Sequence, residues 1–518
     1  MQLTDVNRTD IVDAIALGCH SMSRCFNADD GDIPFFGATV RPEAQLRGSN
    51  ESHIPGRHLN ALLNAEAATG LEIDEEAVAK HERATYLSYS HLPLPLSRQG
   101  EKTGGQGALS ELNDHDLREG FHALYALAAY RDSGRARELA EASIDTIFEW
   151  WVPQEEWNAE RLASTAIHLT HGEDLTFIQR AARAIGPLVK YYRATQYNKA
   201  LELAQLLKDK AVREYFGDDG AFSTALFGVH AHSTTCVMSS LAQLADATGD
   251  VSLLQRTKQF YDNGLWAMRD QIGWSIEVTG GTNCLRGEAN NTGDILETAL
   301  ILGRWGHTEY YADAERILRS HLLPSQLRDV SFIVEPDNPD GVDGRANVAD
   351  RLRGAFGFPA QYGHEPAGIW ASAKQRIGFN LDIVGGAVGS LCEACRETAR
   401  FVKGEHHVNL LFDVETDDLE VQSPYTHDEL AIRLKRPGTL RVRRPPWVKR
   451  DIGQRQENGY WVFDNPGVGT WIRIPFSLPV SDDLLRWREV EIRTRFKGDE
   501  VVAMENFGTD LTFFDPVD

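Results

Sequence analysis

The sequence predicts a mainly α-helical protein, an (α/α)6 toroid of helical hairpins followed by a small antiparallel β-sandwich domain. Three observations predict it. A unit of helix, tight break and helix recurs up to residue 404, six polar segments recur in register with that unit, and strand-forming residues take over beyond it.

The breaks fall at Ala68-Thr69-Gly70, Asp132-Ser133-Gly134, Ala247-Thr248-Gly249 and Arg304-Trp305-Gly306. Ahead of the second, Leu117, Phe121, Leu124 and Ala128 stand at i, i+4, i+7 and i+11, which is one buried helical face. Val237, Leu241, Leu244 and Thr248 repeat the pattern. Glycine supplies the left-handed residue that ends such a helix, and second helices follow over residues 136–147, 253–261 and 312–322. Gly249 and Gly306 are 57 residues apart, whereas Gly134 and Gly249 are 115 apart. A copy without glycine is therefore expected between them, and Tyr191-Tyr-Arg-Ala-Thr-Gln-Tyr-Asn-Lys-Ala200 reads as its break. A sixth inner helix runs through Ala387, Leu391, Ala394 and Val402. Repeats of this length mean a solenoid or a closed ring. Six hairpins can close, and an open α-solenoid is the alternative.

The expected organisation is an N-terminal helix (residues 11–19) and extended arm over 1–50, the helical ring over 51–404, and a β-sandwich with a tail over 405–518. Residues 407–414, 430–434, 439–443, 460–463 and 470–474 are short strand-forming runs separated by Gly, Pro, Asn and Asp. A last strand pair is expected near 490–495 and 500–504.

The formal net charge of −23 argues against nucleic acid or an anionic membrane as partner, since both need a basic surface. No apolar run reaches the roughly 18–20 residues of a membrane span, and the start has no secretory pattern. The expected location is cytoplasmic. Six cysteines over this length make no disulfide framework. Cys392 and Cys395 read as two small core residues of a helix, with no second pair to hold zinc. No metal and no cofactor are expected. The β region and tail offer a surface for a homodimer.

If all inner helices run the same way, the loops entering them open at one end. Those loops are Asn50-Glu-Ser-His-Ile-Pro-Gly-Arg-His58 and residues 113–120, 168–174, 230–235, 286–294 and 379–386, all polar. Converging polar groups at the mouth of a closed fold are the default site. Glu288 has no evident capping role and is the first candidate for a catalytic carboxylate. Asp294 is the second, with a helix N-cap as its structural alternative. Asp382 and Asp116 are reserves. Candidate substrate-binding residues are His115, Arg118, Glu119, His230, His232, Arg286, Asn290 and Asn291, with Tyr362 and His364 in a loop that could fold over the mouth. The His-x-His pair alone is a weak metal signal. Paired carboxylates suit glycoside hydrolysis. Arg118 and Arg286 suit a sugar that carries a carboxylate, and Trp274, Trp370 and Tyr362 could stack on its ring.

Asn291-Thr-Gly-Asp-Ile-Leu-Glu-Thr-Ala-Leu300 with Tyr311-Ala-Asp-Ala-Glu-Arg-Ile-Leu318 resembles an inner and outer helix pair of the six-hairpin glycosidases, and within them of glycoside hydrolase family 127. Leu440-Arg-Val-Arg-Arg-Pro-Pro-Trp447 and Asn458-Gly-Tyr-Trp-Val-Phe463 resemble that family's C-terminal β-sandwich. The resemblance implies the toroid and a β-L-arabinofuranosidase-like activity through a zinc-held cysteine. The matching positions read Thr292-Gly-Asp294 and Leu381-Asp-Ile383, so no cysteine mechanism carries over. A carboxylate mechanism is expected instead, as in uronic-acid-acting relatives. The expected function is an exo-acting glycoside hydrolase on a terminal, β-glucuronide-like sugar of a glycoside or oligosaccharide, with Glu288 and Asp294 as the acid/base pair. A uronic-acid oligosaccharide lyase with a Tyr or His base and a non-catalytic carbohydrate-binding toroid are the alternatives.

Overall fold

Among the described residues, twelve helices of nine or more residues dominate the chain. They are α1 (Ile11–Met22), α2 (Ile54–Thr69), α3 (Glu75–Ser88), α4 (Leu117–Tyr130), α5 (Gly134–Trp150), α6 (Ile185–Thr195), α7 (Asn198–Glu214), α8 (Ala231–Thr248), α9 (Val251–Asp262), α10 (Ala289–Arg304), α11 (Glu309–Ile317) and α12 (Asp382–Thr398). The computed structural model describes residue 3 and residues 5–98, 107–170, 175–280, 287–356, 377–449, 452–487, 490–505 and 513–517.

The even-numbered helices pack each on the next, and α12 packs back on α2, so the order returns to its start. Each of the first five carries the following odd-numbered helix against it, and α12 takes α1 as its neighbour in that role. The N-terminal helix thus packs against the helix nearest the end of the helical region.

The breaks use the left-handed backbone that the spacing implies. Gly70 and Gly249 both have φ 72° beyond their helices. At the copy without glycine, Gln196 takes that geometry at φ 59°. At the second break Asp132 takes it, and Gly134 instead opens α5 behind its N-cap Ser133. Two other glycines decide how closely inner helices meet. A Cβ on Gly56 would lie 1.8 Å from the Glu119 carbonyl oxygen, and one on Gly386 would lie 1.9 Å from Asn290 Oδ1. A larger side chain at Gly56 would push α2 from the backbone of α4, and one at Gly386 would displace the Asn290 amide.

The N-terminal arm is a sheet. β1 (Ile33–Arg41) pairs antiparallel with β2 (Gln45–Ser49) and with β3 (Ile377–Asn380), which leads straight into α12. The Leu381 amide donates to the Phe36 carbonyl at 2.9 Å and fixes the start of that helix.

Beyond α12 come β4 (Ala399–Val402), β5 (Glu405–Val408), β6 (Val414–Glu415), β7 (Leu419–Gln422), β8 (Leu430–Leu434), β9 (Thr439–Arg443), β10 (Arg455–Glu457), β11 (Tyr460–Phe463) and β12 (Trp471–Ile474). They form sheets in the orders β4-β5-β9-β11-β10 and β6-β7-β8-β12. Val408, Leu440, Val442 and Trp461 of the first share one core with Leu419, Val421, Ile432 and Ile474 of the second. One pair departs from the antiparallel expectation: β5 runs parallel to β9, with Glu405 opposite Thr439.

The tail forms β13 (Val480–Trp487), β14 (Val490–Lys497) and β15 (Glu500–Met504). Its apolar residues Leu485, Trp487, Ile492, Val501 and Met504 join the core of the helical region rather than that of the two sheets. Trp487 meets Trp274 edge to face at 5.3 Å. Trp274 is thus fully buried, and not a sugar platform at the mouth. Among the described residues no helix is long and apolar enough to cross a membrane.

Candidate active site

The first turns of the inner helices bring their polar residues together. Asp116 occupies the N-cap position of α4, yet its side chain makes no capping bond. It accepts instead from His53 Nδ1 at 2.7 Å and from the Ser52 hydroxyl at 2.9 Å. His53 Nε2 lies 3.5 Å from Asp382 Oδ2. Burial alone would lower the His53 pKa, but Glu119 and Asp116 beside it raise it to about 9. His53 is therefore an imidazolium at neutral pH, held between carboxylates.

Glu119 is fully buried and anchors three guanidinium groups through one oxygen. Its Oε1 accepts from Arg57 Nη2 at 2.8 Å and Nε at 3.1 Å, from Arg183 Nη2 at 3.1 Å and from Arg118 Nη1 at 3.3 Å. Burial works against its charge, yet Arg183, His53 and Arg57 hold it well below the usual carboxylate range. Read as a substrate contact from sequence, Glu119 in fact carries the arginines.

His115 donates from Nδ1 to the Gln179 carbonyl at 2.7 Å, and its own carbonyl accepts from Arg183 Nη1 at 2.8 Å. Its ring stacks on His53 at 5.8 Å and lies 5.7 Å from that of His230. Burial brings the His230 pKa down to about 3 and that of His232 well below its ordinary value. Both rings are neutral at pH 7. His232 Nε2 must accept, since Arg57 Nη2 points at it from 3.4 Å, so the ring proton sits on Nδ1.

That Nδ1 faces Glu288 Oε1 at 3.6 Å, and Nε2 stands 3.5 Å from Asp294 Oδ2. Glu288 occupies the N-cap position of α10 without a side-chain capping bond. Burial first, then Glu277 and Asp382, push its pKa up to about 8. Asp294 is inside α10 and caps nothing, which removes the N-cap alternative. It accepts from the Thr235 hydroxyl at 3.1 Å and sits 3.6 Å from Arg118 Nη2. Burial raises it to about 6 despite Arg118. Asp382 opens α12 and accepts from Asn290 Nδ2 at 3.1 Å, the same nitrogen that donates to Glu288 Oε1 at 2.8 Å. Burial opposes its charge, but Arg57 and His53 hold it well below the carboxylate range. Arg57, Arg118, Asn290 and Asp294 line a polar cavity between the helices with His122, Lys190 and Glu297. Arg57 Nη1 is buried there without a hydrogen-bond partner.

Ten predicted residues thus come together: Asp116, Glu119, Arg118, His115, His230, His232, Glu288, Asn290, Asp294 and Asp382. Asn291 does not join them. Its amide ties the Ser275 hydroxyl and the Ile276 carbonyl at 3.2 and 2.9 Å and positions the segment under Glu288. Arg286, Tyr362, His364 and Trp370 lie outside the described residues, as do residues 171–174. His168–Leu169 pairs in parallel with Leu109–Leu112, and the third repeat reaches the site through Gln179 and Arg183. His53, Arg57 and Arg183 were missed from sequence. The first two stand in the polar segment entering α2, whereas Arg183 lies in Ala181-Ala-Arg-Ala184 and gives no signal. His230, His232 and Glu288 also place three donor atoms within 4.8 Å of one another, as do His53, Asp116 and Glu119.

The fold is that of GH127 enzymes. A GH127 β-L-arabinofuranosidase from Geobacillus stearothermophilus T6 superposes with a TM-score of 0.57, at 13% identity over 96% of this chain and 86% of that one. A second GH127 β-arabinofuranosidase gives 0.55 at 12% identity, over 95% and 78%. A structure described as a glycoside hydrolase gives 0.56 at 13%, over 96% and 85%. No protein-family model matches the sequence, and no curated protein matches it. The zinc-held cysteine that the GH127 resemblance implies does not fit these residues. Positions 292–294 and 381–383 hold no cysteine. Cys236, one turn beyond His232 on α8, keeps a thiol raised by burial.

Proposed function

We propose that the protein is an exo-acting glycoside hydrolase built as an (α/α)6 toroid with a C-terminal β-sandwich, removing a terminal uronic-acid sugar. The observation that carries this reading is the pair Glu288 and Asp294, on opposite edges of one neutral imidazole with pKa values near 8 and 6. Two carboxyl groups pushed apart in this way divide into an acid and a base. At neutral pH Glu288 keeps its proton and gives it to the glycosidic oxygen as the bond to the anomeric carbon breaks. Asp294, mostly ionised, takes a proton from the water that attacks that carbon from the other face. Asp382 is too weak a base for this, because His53, Arg57 and Asn290 already stabilise its charge. Arg57, with its free Nη1 in the cavity, supports recognition of the sugar carboxylate.

The test is a panel of aryl glycosides and uronic-acid oligosaccharides followed by mass spectrometry, with NMR of the first-formed sugar. A product carrying one added water and an inverted anomeric centre is expected. A product without added water would mean a lyase and would sink the proposal. Retention would reassign the second carboxylate to Asp382. Its Oδ2 and Glu288 Oε1 share one Asn290 nitrogen and so lie less than about 6 Å apart, near the ~5–5.5 Å of retaining enzymes.

A further inference from the structure

Beside α2, three buried side chains from three segments of the chain point at one another. Cys25 lies just past α1, His58 in α2 and His81 in α3, with 2%, 1% and 0% of their surfaces exposed. Cys25 Sγ is 3.5 Å from His58 Nδ1 and 4.0 Å from His81 Nε2, and those two nitrogens are 3.3 Å apart. The Met22 carbonyl oxygen closes the group, 3.3 Å from Cys25 Sγ and 3.2 Å from His81 Nε2.

We propose that Cys25, His58 and His81 form a structural site for a zinc-class divalent cation, with the Met22 carbonyl as the fourth donor. Zinc takes nitrogen at about 2.0–2.1 Å and thiolate at about 2.3 Å. A tetrahedron with those bonds has edges of about 3.3 Å between nitrogens and about 3.6 Å between sulfur and nitrogen. The observed edges match to within a few tenths of an ångström, so an ion enters with little movement.

The His58 tautomer agrees, whereas His81 must move its ring proton from Nε2 to Nδ1 as an ion replaces the bond to the Met22 carbonyl. His58 Nε2 donates to the Leu381 carbonyl at 2.9 Å, which leaves the Nδ1 lone pair facing the cluster. A carbonyl gripping the far nitrogen is the outer-shell contact that orients a metal-bound imidazole. Neutral imidazole is the ligating form. Metal entry displaces the Cys25 thiol proton to solvent, because the thiolate is the ligating form. Without an ion, the Cys25 thiol and His81 Nε2 carry one proton each for two acceptors, the His58 nitrogen and the Met22 carbonyl.

The site joins the end of α1 to α2, α3 and, through Leu381, the start of α12. His58 follows Arg57 in sequence and Leu381 precedes Asp382. A bound ion would therefore fix two residues of the carboxylate site without touching substrate.

The experiment uses the full-length protein, stripped with a chelator and reloaded with zinc alone. One zinc per chain is expected, together with a rise in melting temperature on reloading. X-ray absorption of the wild-type protein should show one sulfur neighbour near 2.3 Å among lighter ones. Cys25→Ala and His81→Gln should lose the zinc, and Glu288→Gln, which removes a donor from the His230 and His232 group, should keep it. Substoichiometric zinc after reloading, a coordination shell without sulfur, or zinc lost from Glu288→Gln but kept in Cys25→Ala would each overturn the site. The wild-type absorption measurement decides even if the variants fail to fold.

Discussion

Glu288 and Asp294 address opposite nitrogens of the His232 ring, 3.6 Å from Nδ1 and 3.5 Å from Nε2. The ring is neutral, so it offers neither carboxyl group a compensating charge. What separates them is Arg118, which stands beside Asp294 and restrains its upward shift, while Glu288 has Glu277 and Asp382 as neighbours.

The rate should therefore follow a bell in pH. For the free enzyme, kcat/KM should rise through about 6 as Asp294 ionises and fall through about 8 as Glu288 loses its proton. Asp294→Asn should abolish the rising limb and lower the rate by about 10²–10⁴-fold. A profile flat between these values would remove the assignment. So would an Asp294→Asn enzyme within a few-fold of wild type.

Glu288→Gln should lose activity by a similar factor yet gain stability at neutral pH. In the unfolded chain Glu288 ionises above 4.5, whereas in the folded chain it holds its proton to about 8. Its contribution to stability is fully present below 4.5 and is lost as pH rises to about 8, at up to ~1.4 kcal/mol per pH unit. Glutamine is neutral in both states and still accepts from Asn290. Denaturant titrations at pH 4.5 and pH 8 should show the variant's advantage only at the higher value. An advantage equal at both would mean that Glu288 is ionised in the folded protein.

The helical repeat was legible because its breaks recur in the chain. Gly70 and Gly249 mark left-handed caps, and the doubled interval between Gly134 and Gly249 exposed the copy at Gln196. Asp132 hid its role because a non-glycine residue with positive φ looks ordinary in sequence. The inner-helix entrances disclosed Glu288, Asp294 and Asp382, since a polar run without apolar period has little structural use. Arg57 and Arg183 stayed hidden, because their roles depend on Glu119, 62 and 64 residues away, which only the closed packing brings to them. Asn291 misled for the converse reason: its helix turns it away from the cavity, to the backbone at Ile276.

Glu119→Gln should be among the most damaging single changes. Three guanidinium groups share Oε1, and an amide would leave them without their counter-charge in a buried place. Breaking a buried ion pair from one side costs about 3–5 kcal/mol. The same change should lower the His53 pKa, because Glu119 heads the interactions that raise it. Thermal unfolding reads the first effect and the imidazole NMR titration of His53 the second. A variant as stable as wild type would show that the arginines find another anion.

Trp487→Ala should weaken both the fold and the reaction, although Trp487 is far along the chain from every carboxylate. Its ring packs on Trp274, and both are buried. Ser275 and Ile276 follow Trp274 and are held by Asn291, while the Ser275 carbonyl accepts from the Glu288 amide at 3.0 Å. The tail thus supports the backbone beneath the proposed acid. Truncating a buried tryptophan to alanine typically costs about 3–5 kcal/mol, so a large fall in melting temperature is expected. A loosened Glu288 should appear as a drop in kcat larger than any change in KM, because positioning of the acid matters most in the transition state. Trp487→Phe refills much of the space and should restore most of both. If Trp487→Ala lowers the melting temperature and leaves kcat intact at a temperature where it is folded, the tail contributes stability alone and the link through Trp274 to Glu288 is wrong.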